Sequence, residues 1–237
     1  WIEFEGKRIE VSKDNWTATR DHSWGIYADR PPFKNQTKLL PPAEKPAVRR
    51  ALRIWIPFKT STHTGFYHFH EDEDGNQLHM NDVFGTPFDG AIDHGWEKPR
   101  LRLVSGTHEL EFLGDSRSLK SGTILLTDEN GGRWQHDIEV AGYPWTPLTI
   151  GYHAGSWKDG GAMSSYHGEG VQQEWDEFDV SNPPFEHTLY QGPTIKGLSG
   201  NEHIARITST DPDGNVSEGC GQLELIIDGA YRPYGFE

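Results

Sequence analysis

Three turn sequences of similar composition separate pairs of strand-like segments, and they constrain the fold more than any other feature of this chain. The turns cover residues 72–76, 128–132 and 211–215. The strand-like segments that flank them are 66–71 and 77–80, 123–127 and 133–140, and 203–210 and 216–227. Each turn contains a glycine or an asparagine that supplies the positive φ such a turn demands. Turn residues between strand-forming runs predict antiparallel hairpins.

Apolar residues alternate with polar ones along several of these segments, as in Leu110/Phe112 and Leu223/Leu225. This period of two predicts sheets with one buried face. The strongest helical signal covers residues 42–52, where Pro46 limits a helix to a turn or two. We predict an all-β chain of hairpins with little helix, folded as an antiparallel barrel or sandwich of one and a half to two lobes. Residues 1–140 form a first β lobe and 141–237 complete the barrel, with a missing N-terminal lobe left open.

The charge and cysteine content exclude several classes of partner. A formal charge of -14 and scattered basic residues argue against nucleic acid. The sequence has no run of about 18 apolar residues, so we predict no membrane span. A single cysteine, Cys220, cannot form an internal disulfide, which favours the cytoplasm.

The segment Arg20-Asp21-His22-Ser23-Trp24-Gly25 has an unusual composition for a strand. Strand alternation places Arg20, His22 and Trp24 on one face. A histidine near its neutral pKa can transfer a proton, a neighbouring carboxylate can fix its tautomer, and an indole face can stabilise a carbocation. The alternative is a structural Arg20–Asp21 pair that links neighbouring strands, with Trp24 in the core.

This segment resembles the Arg/His-Asp-His-x-Trp-Gly signature of the carotenoid 1,2-hydratase-like and AttH-like lipocalin-type superfamily. Two later stretches are also similar to its members: 151–153 with Trp157, and the closing run 219–235. The resemblance implies calycin-like barrel lobes around an apolar cavity and cofactor-free hydration, dehydration or cyclisation of terpenoid and polyketide substrates. It implies acid/base roles for Asp21 and His22, with Trp24 lining the cavity. The chain departs from the pattern in the spacing around His153.

Two further segments carry candidate residues. His68 and His70 share one strand face, as metal ligands do, but the sequence places no third or fourth ligand, so a polar surface hairpin is favoured and no metal is predicted. His167 and Glu169 also share a strand face, as an acid/base pair or as the charged residues of an exposed edge strand.

The expected function is a cofactor-independent lyase, hydratase or isomerase that acts on a hydrophobic terpenoid, polyketide or aromatic molecule by acid/base catalysis. The alternative is a non-catalytic, lipocalin-like carrier of a lipid or pigment. No cofactor is predicted, and a homo-oligomer or a partner lobe stays open. The candidate catalytic residues are Asp21, His22 and Tyr152, and the candidate substrate-binding residues are Arg20, Trp24, Tyr67, His153, Trp157, His167 and Glu169.

Overall fold

The computed structural model describes residues 1–12, 16–19, 49–79, 87–142, 144, 169–170 and 201–237, and the backbone of 185–188 and 194–198. Thirteen strands lie in these ranges: β1 Ile2–Phe4, β2 Lys7–Ile9, β3 Leu52–Thr60, β4 Thr64–Glu71, β5 Gln77–Leu78, β6 Phe88–Asp93, β7 Leu101–Phe112, β8 Leu119–Asp128, β9 Arg133–Val140, β10 Phe185–Thr188, β11 Thr194–Leu198, β12 Glu202–Thr210 and β13 Val216–Ile227. A 3₁₀ turn at Arg232–Tyr234 follows β13. No helix in the described ranges is long and apolar enough to cross a membrane.

Eight of these strands form a closed antiparallel barrel in the order β3, β13, β12, β9, β8, β7, β6 and β4. The barrel is closed because β3 pairs with β4 on one side, along almost the whole length of β4, and with β13 on the other. β5 extends the sheet beyond β4, while β1–β2 and β10–β11 form separate two-stranded hairpins. The prediction of an all-β, lipocalin-like barrel built of hairpins is confirmed.

The three predicted hairpins are all present, and their turns share one construction. The φ angle is positive at a glycine in each turn: Gly75 (84°), Gly131 (84°) and Gly214 (83°). In the first turn the Asp72 carboxylate accepts hydrogen bonds from the backbone N–H groups of Asp74 and Asn76, both at 2.9 Å. Asp128 and Asp211 accept equivalent bonds in the other two turns.

The helical signal over residues 42–52, limited by Pro46 to a turn or two, does not extend to its C-terminal end, because Leu52 begins strand β3. The side chains of Leu52, Ile54 and Ile56 alternate into the barrel interior and are fully buried. The pairing of β3 with both β4 and β13 therefore overrides any local helical preference. Residues 42–48 lie outside the described ranges.

The interior of the barrel is packed with aromatic rings. Tyr67 on β4 and His136 on β9 come from opposite sides of the barrel, and the Tyr67 hydroxyl lies 3.2 Å from His136 Nδ1. The ring of Phe58 contacts His136 at a centroid distance of 4.6 Å, and Phe88 stacks on Tyr67 at 6.5 Å. These side chains meet across the barrel axis, so the described interior differs from the apolar ligand cavity that the resemblance implies.

One end of the barrel is covered by the C-terminal residues that follow β13. The Tyr231 hydroxyl donates a hydrogen bond to buried Glu71, and His108 Nε2 lies 3.3 Å from the same carboxylate. The Tyr234 hydroxyl accepts a hydrogen bond from the backbone N–H of Leu110 at 3.0 Å. This polar network joins the closing run of the sequence to strands β4 and β7.

Candidate functional site

The predicted site residues are distributed unevenly over the structure. The following lie outside the described residues: Arg20, Asp21, His22, Trp24, Tyr152, His153, Trp157 and His167. Glu169 is described and exposed. Tyr67 is fully buried in the barrel interior, where burial raises the pKa of its hydroxyl far above the ordinary range. A substrate-binding role for Tyr67 and Glu169 stays a prediction.

A row of outward-facing side chains crosses four adjacent strands on one side of the barrel. His68 on β4 is in register with Trp55 on β3, Trp55 with Glu224 on β13, and Glu224 with Glu202 on β12. Side chains in direct register on one sheet face lie about 5 Å apart. Together with three outward-facing neighbours we call this set the wall cluster: Arg53, Trp55, His68, His70, Glu202, Gln222 and Glu224.

An ion pair lies at the centre of the wall cluster. Arg53 Nε is 2.9 Å from Glu224 Oε1, and the two side chains are only 28% and 17% exposed although they point away from the barrel interior. Charged groups on the outside of a sheet are normally solvated. Their partial burial here strengthens the electrostatic interactions among the groups of the cluster.

Glu202 is the group in this cluster best suited to proton transfer near neutral pH. Gln222 Nε2 donates a hydrogen bond to Glu202 Oε2 at 2.8 Å. Burial of the carboxyl is the main reason that the pKa of Glu202 is raised to about 7. The hydrogen bond from Gln222 opposes this increase, the neighbouring Glu224 carboxylate adds to it, and the Arg53 charge opposes it weakly. A carboxyl with such a pKa can both donate and accept a proton under physiological conditions.

The raised pKa of Glu202 has a consequence for stability. The folded-state pKa exceeds the ordinary value of 4.5, so folding is favoured when Glu202 is protonated. This contribution to the free energy of unfolding is fully present below about pH 4.5 and is lost as the pH rises through 7. Glu202→Gln keeps an acceptor for Gln222 and removes the ionisation. In thermal scans followed by circular dichroism, we expect the variant to melt slightly above the wild-type temperature at pH 5 and well above it at pH 8. The matched control is Glu218→Gln at an exposed position of β13, which should show no such pH dependence. Equal melting of Glu202→Gln and wild type at pH 8 would contradict the assignment.

His68 and His70 form a close pair beside Trp55. Their Nε2 atoms are 2.9 Å apart, as expected for two histidines on one face of a strand. Burial, followed by the neighbouring His70 and Arg53, lowers the pKa of His68 to about 3, and burial followed by Arg50 lowers that of His70 to about 4. Both imidazoles are therefore neutral at physiological pH. Within the described ranges, no group of three or more His, Cys, Asp or Glu side chains is arranged to hold a metal ion.

Thr19 connects the wall cluster to the N-terminal part of the chain. Its hydroxyl donates a hydrogen bond to Gln222 Oε1, the amide that also contacts Glu202. In the sequence, Thr19 directly precedes the Arg20–Gly25 segment. Thr19, the last described residue before this segment, therefore lies at the wall cluster.

Sequence reasoning identified the histidine pair but not the carboxyl pair. Glu202 and Glu224 are equidistant from Asp213, the central residue of the third turn, so the hairpin register could have placed them opposite each other. Two like charges in direct register are destabilising on an ordinary surface. The predicted pairing of two glutamates in one hairpin was therefore the feature of the sequence that could have indicated a functional pair.

A cleft of about 1,090 Å³ opens at the covered end of the barrel, away from the wall cluster. It is lined in part by Glu71, His108, Tyr231 and Tyr234. The polar atoms of these four side chains already interact with one another and with the backbone. We therefore assign them to holding the C-terminal residues in place and regard the wall cluster as the candidate site.

Comparison with known proteins identifies a family. No curated protein and no solved structure matches the chain significantly. A family model described as a family of unknown function, DUF8625, matches residues 1–237. The chain therefore belongs to the DUF8625 family.

Proposed function

We propose that this protein is a cofactor-independent lyase, hydratase or isomerase that acts on a hydrophobic small molecule at the wall cluster. The observation that carries the proposal is the carboxyl pair Glu202 and Glu224, part-buried in register with the indole of Trp55. Strongly perturbed acids that lie together with a specific charge partner are typical of functional sites. Trp55 offers an apolar and aromatic surface beside them.

The two carboxyls have different surroundings, which suits them to different roles. Glu224 forms an ion pair with Arg53, with 2.9 Å between Oε1 and Nε. Among the described residues, Glu202 accepts its hydrogen bond from the neutral amide of Gln222, and its pKa is raised to about 7. An acid that protonates an alkene or a leaving hydroxyl, next to a base that removes a proton from water or carbon, is sufficient for hydration, dehydration or double-bond migration.

Asp21 and His22 remain the proposed acid/base residues contributed by the motif segment. The support is the hydrogen bond from Thr19, two residues before Asp21, to Gln222 in the wall cluster. On this proposal the indole of Trp24 stabilises positive charge that develops on the substrate. We also propose a cytoplasmic protein, on the basis of the single free Cys220.

Native mass spectrometry followed by deuterium exchange tests the proposal. Mass spectrometry of freshly purified protein would identify the chemical class of a retained ligand. That compound, or a panel of terpenoid alkenes and tertiary alcohols, is then incubated with the protein in D₂O. A hydratase or isomerase transfers a solvent-derived proton to carbon, so the product should contain deuterium on carbon, which NMR detects.

Variants separate catalysis from binding. We expect Asp21→Asn, His22→Gln and Glu202→Gln each to reduce deuterium incorporation by about 100-fold or more, the usual contribution of a general acid or base. The exposed Glu218→Gln serves as control and should keep wild-type turnover. A ligand that binds with neither deuterium incorporation nor conversion of an alcohol to an alkene in any sample would show a carrier and overturn the enzymatic proposal. Loss of turnover together with an equal loss of thermal stability would indicate that the motif is structural.

A further inference from the structure

We propose that His68 and His70 form a two-histidine chelate for a divalent transition-metal ion, with copper(II) as the preferred ion. The chelate lies on the outer wall of β4, on the far side of Trp55 from the Glu202–Glu224 pair. It is a binding site distinct from the acid/base chemistry proposed above and does not depend on it.

The geometry of the pair suits a shared metal ion. The two Nε2 atoms converge to 2.9 Å, and the rings are nearly perpendicular at 84°. Metal–imidazole bonds of about 2.0–2.1 Å to both atoms would then enclose an angle of roughly 90° at the metal. An angle near 90° fits square-planar or octahedral coordination better than the tetrahedral arrangement of structural zinc.

The surrounding charges select among metal ions. Arg53 is in register with His70, and the charge of Arg50 also affects both rings. These two positive charges repel a cation at the site. The ion pair of Arg53 with Glu224 at 2.9 Å reduces this repulsion. Hard ions such as Mg²⁺ and Ca²⁺ need several carboxylate or carbonyl oxygens, which the pair does not offer. Copper(II) binds imidazole most strongly of the divalent first-row ions and tolerates water in its remaining positions.

A copper titration of tag-free, chelator-treated full-length protein tests the proposal. Electron paramagnetic resonance should show one copper(II) site per chain with hyperfine structure from two nitrogen atoms. Isothermal calorimetry should show that copper(II) binds more tightly than nickel(II) or zinc(II). Substitutions at the outer wall leave the buried core untouched, and circular dichroism verifies the fold of each variant.

The variants decide between a metal chelate and a simple hydrogen-bonded pair. His68→Ala and His70→Ala should each lower copper affinity at least tenfold, since even loss of an outer-shell partner costs about that much, and should abolish the two-nitrogen signature. Repeating the titration with His68→Gln separates loss of the ligand from loss of bulk. The control is His79→Ala, an exposed histidine outside the wall cluster, which should bind copper as wild type does. An unchanged spectrum in His70→Ala, or wild-type affinity equal to that of the double alanine variant, would overturn the proposal.

Discussion

Gly219→Ala is expected to destabilise the barrel by roughly 3 kcal/mol or more, at or above the upper end of the range for overpacked positions. Gly219 on β13 pairs with Thr60 on β3. A Cβ atom at position 219 would overlap the carbonyl oxygen of Lys59 and lie 2.5 Å from Thr60 Cα. Both neighbours are backbone atoms, so no side-chain rotation relieves the clash. Strands β3 and β13 would have to separate where the barrel closes.

Urea denaturation followed by intrinsic tryptophan fluorescence measures this effect. The free energy of unfolding should fall in Gly219→Ala and stay within about 0.5 kcal/mol of wild type in an exposed control. Gly170→Ala is a suitable control because a Cβ at that exposed position meets no atom of the described residues within 4 Å. A Gly219→Ala protein as stable as wild type would show that β3 and β13 are not held together at this point.

The local features of this fold were predictable from sequence, whereas the closure of the barrel was not. The turns at 72–76, 128–132 and 211–215 specify their hairpins through short-range chemistry. Closure depends on pairing Leu52–Thr60 with Val216–Ile227, more than 150 residues away, and no turn specifies that register. The alternation of buried residues along Leu52–Thr60 was nevertheless visible and is a typical strand signal.

The candidate site was predictable only in part, for a physical reason. His68 and His70 stand two residues apart, so strand geometry alone places them together. Arg53, Glu202 and Glu224 come from three separate strands, and each is an ordinary charged residue in its own segment. Burial and close neighbours perturb a pKa, and both arise only when the strands assemble.

Lowering the pH from 7 towards 4 is expected to destabilise the barrel strongly through its buried histidines. Burial lowers the pKa of His136 to about 3, with a smaller contribution from His63, and burial lowers that of His203 to about 4. In the unfolded chain these rings titrate near 6.5. Between these pKa values the unfolded chain binds a proton that the folded protein does not bind. The free energy of unfolding is therefore unaffected by these histidines above about pH 6.5, and it decreases as the pH falls towards the folded-state pKa. For His136 alone the loss by pH 4 is roughly 3 kcal/mol.

A double substitution measures how much of the acid-induced loss of stability comes from His136. Within the described part of the chain, Nε2 of His136 is buried without a hydrogen-bond partner, while its Nδ1 meets the Tyr67 hydroxyl. Replacing both residues, as Tyr67→Phe with His136→Leu, removes the titrating ring and leaves no buried hydroxyl unpaired. Urea denaturation at pH 7, 6, 5 and 4 should then give a shallower loss of stability than in wild type, while Tyr67→Phe alone should keep the wild-type slope. If the double variant lost stability as steeply as wild type, the acid sensitivity would have to come from other groups, with His203 the next to replace.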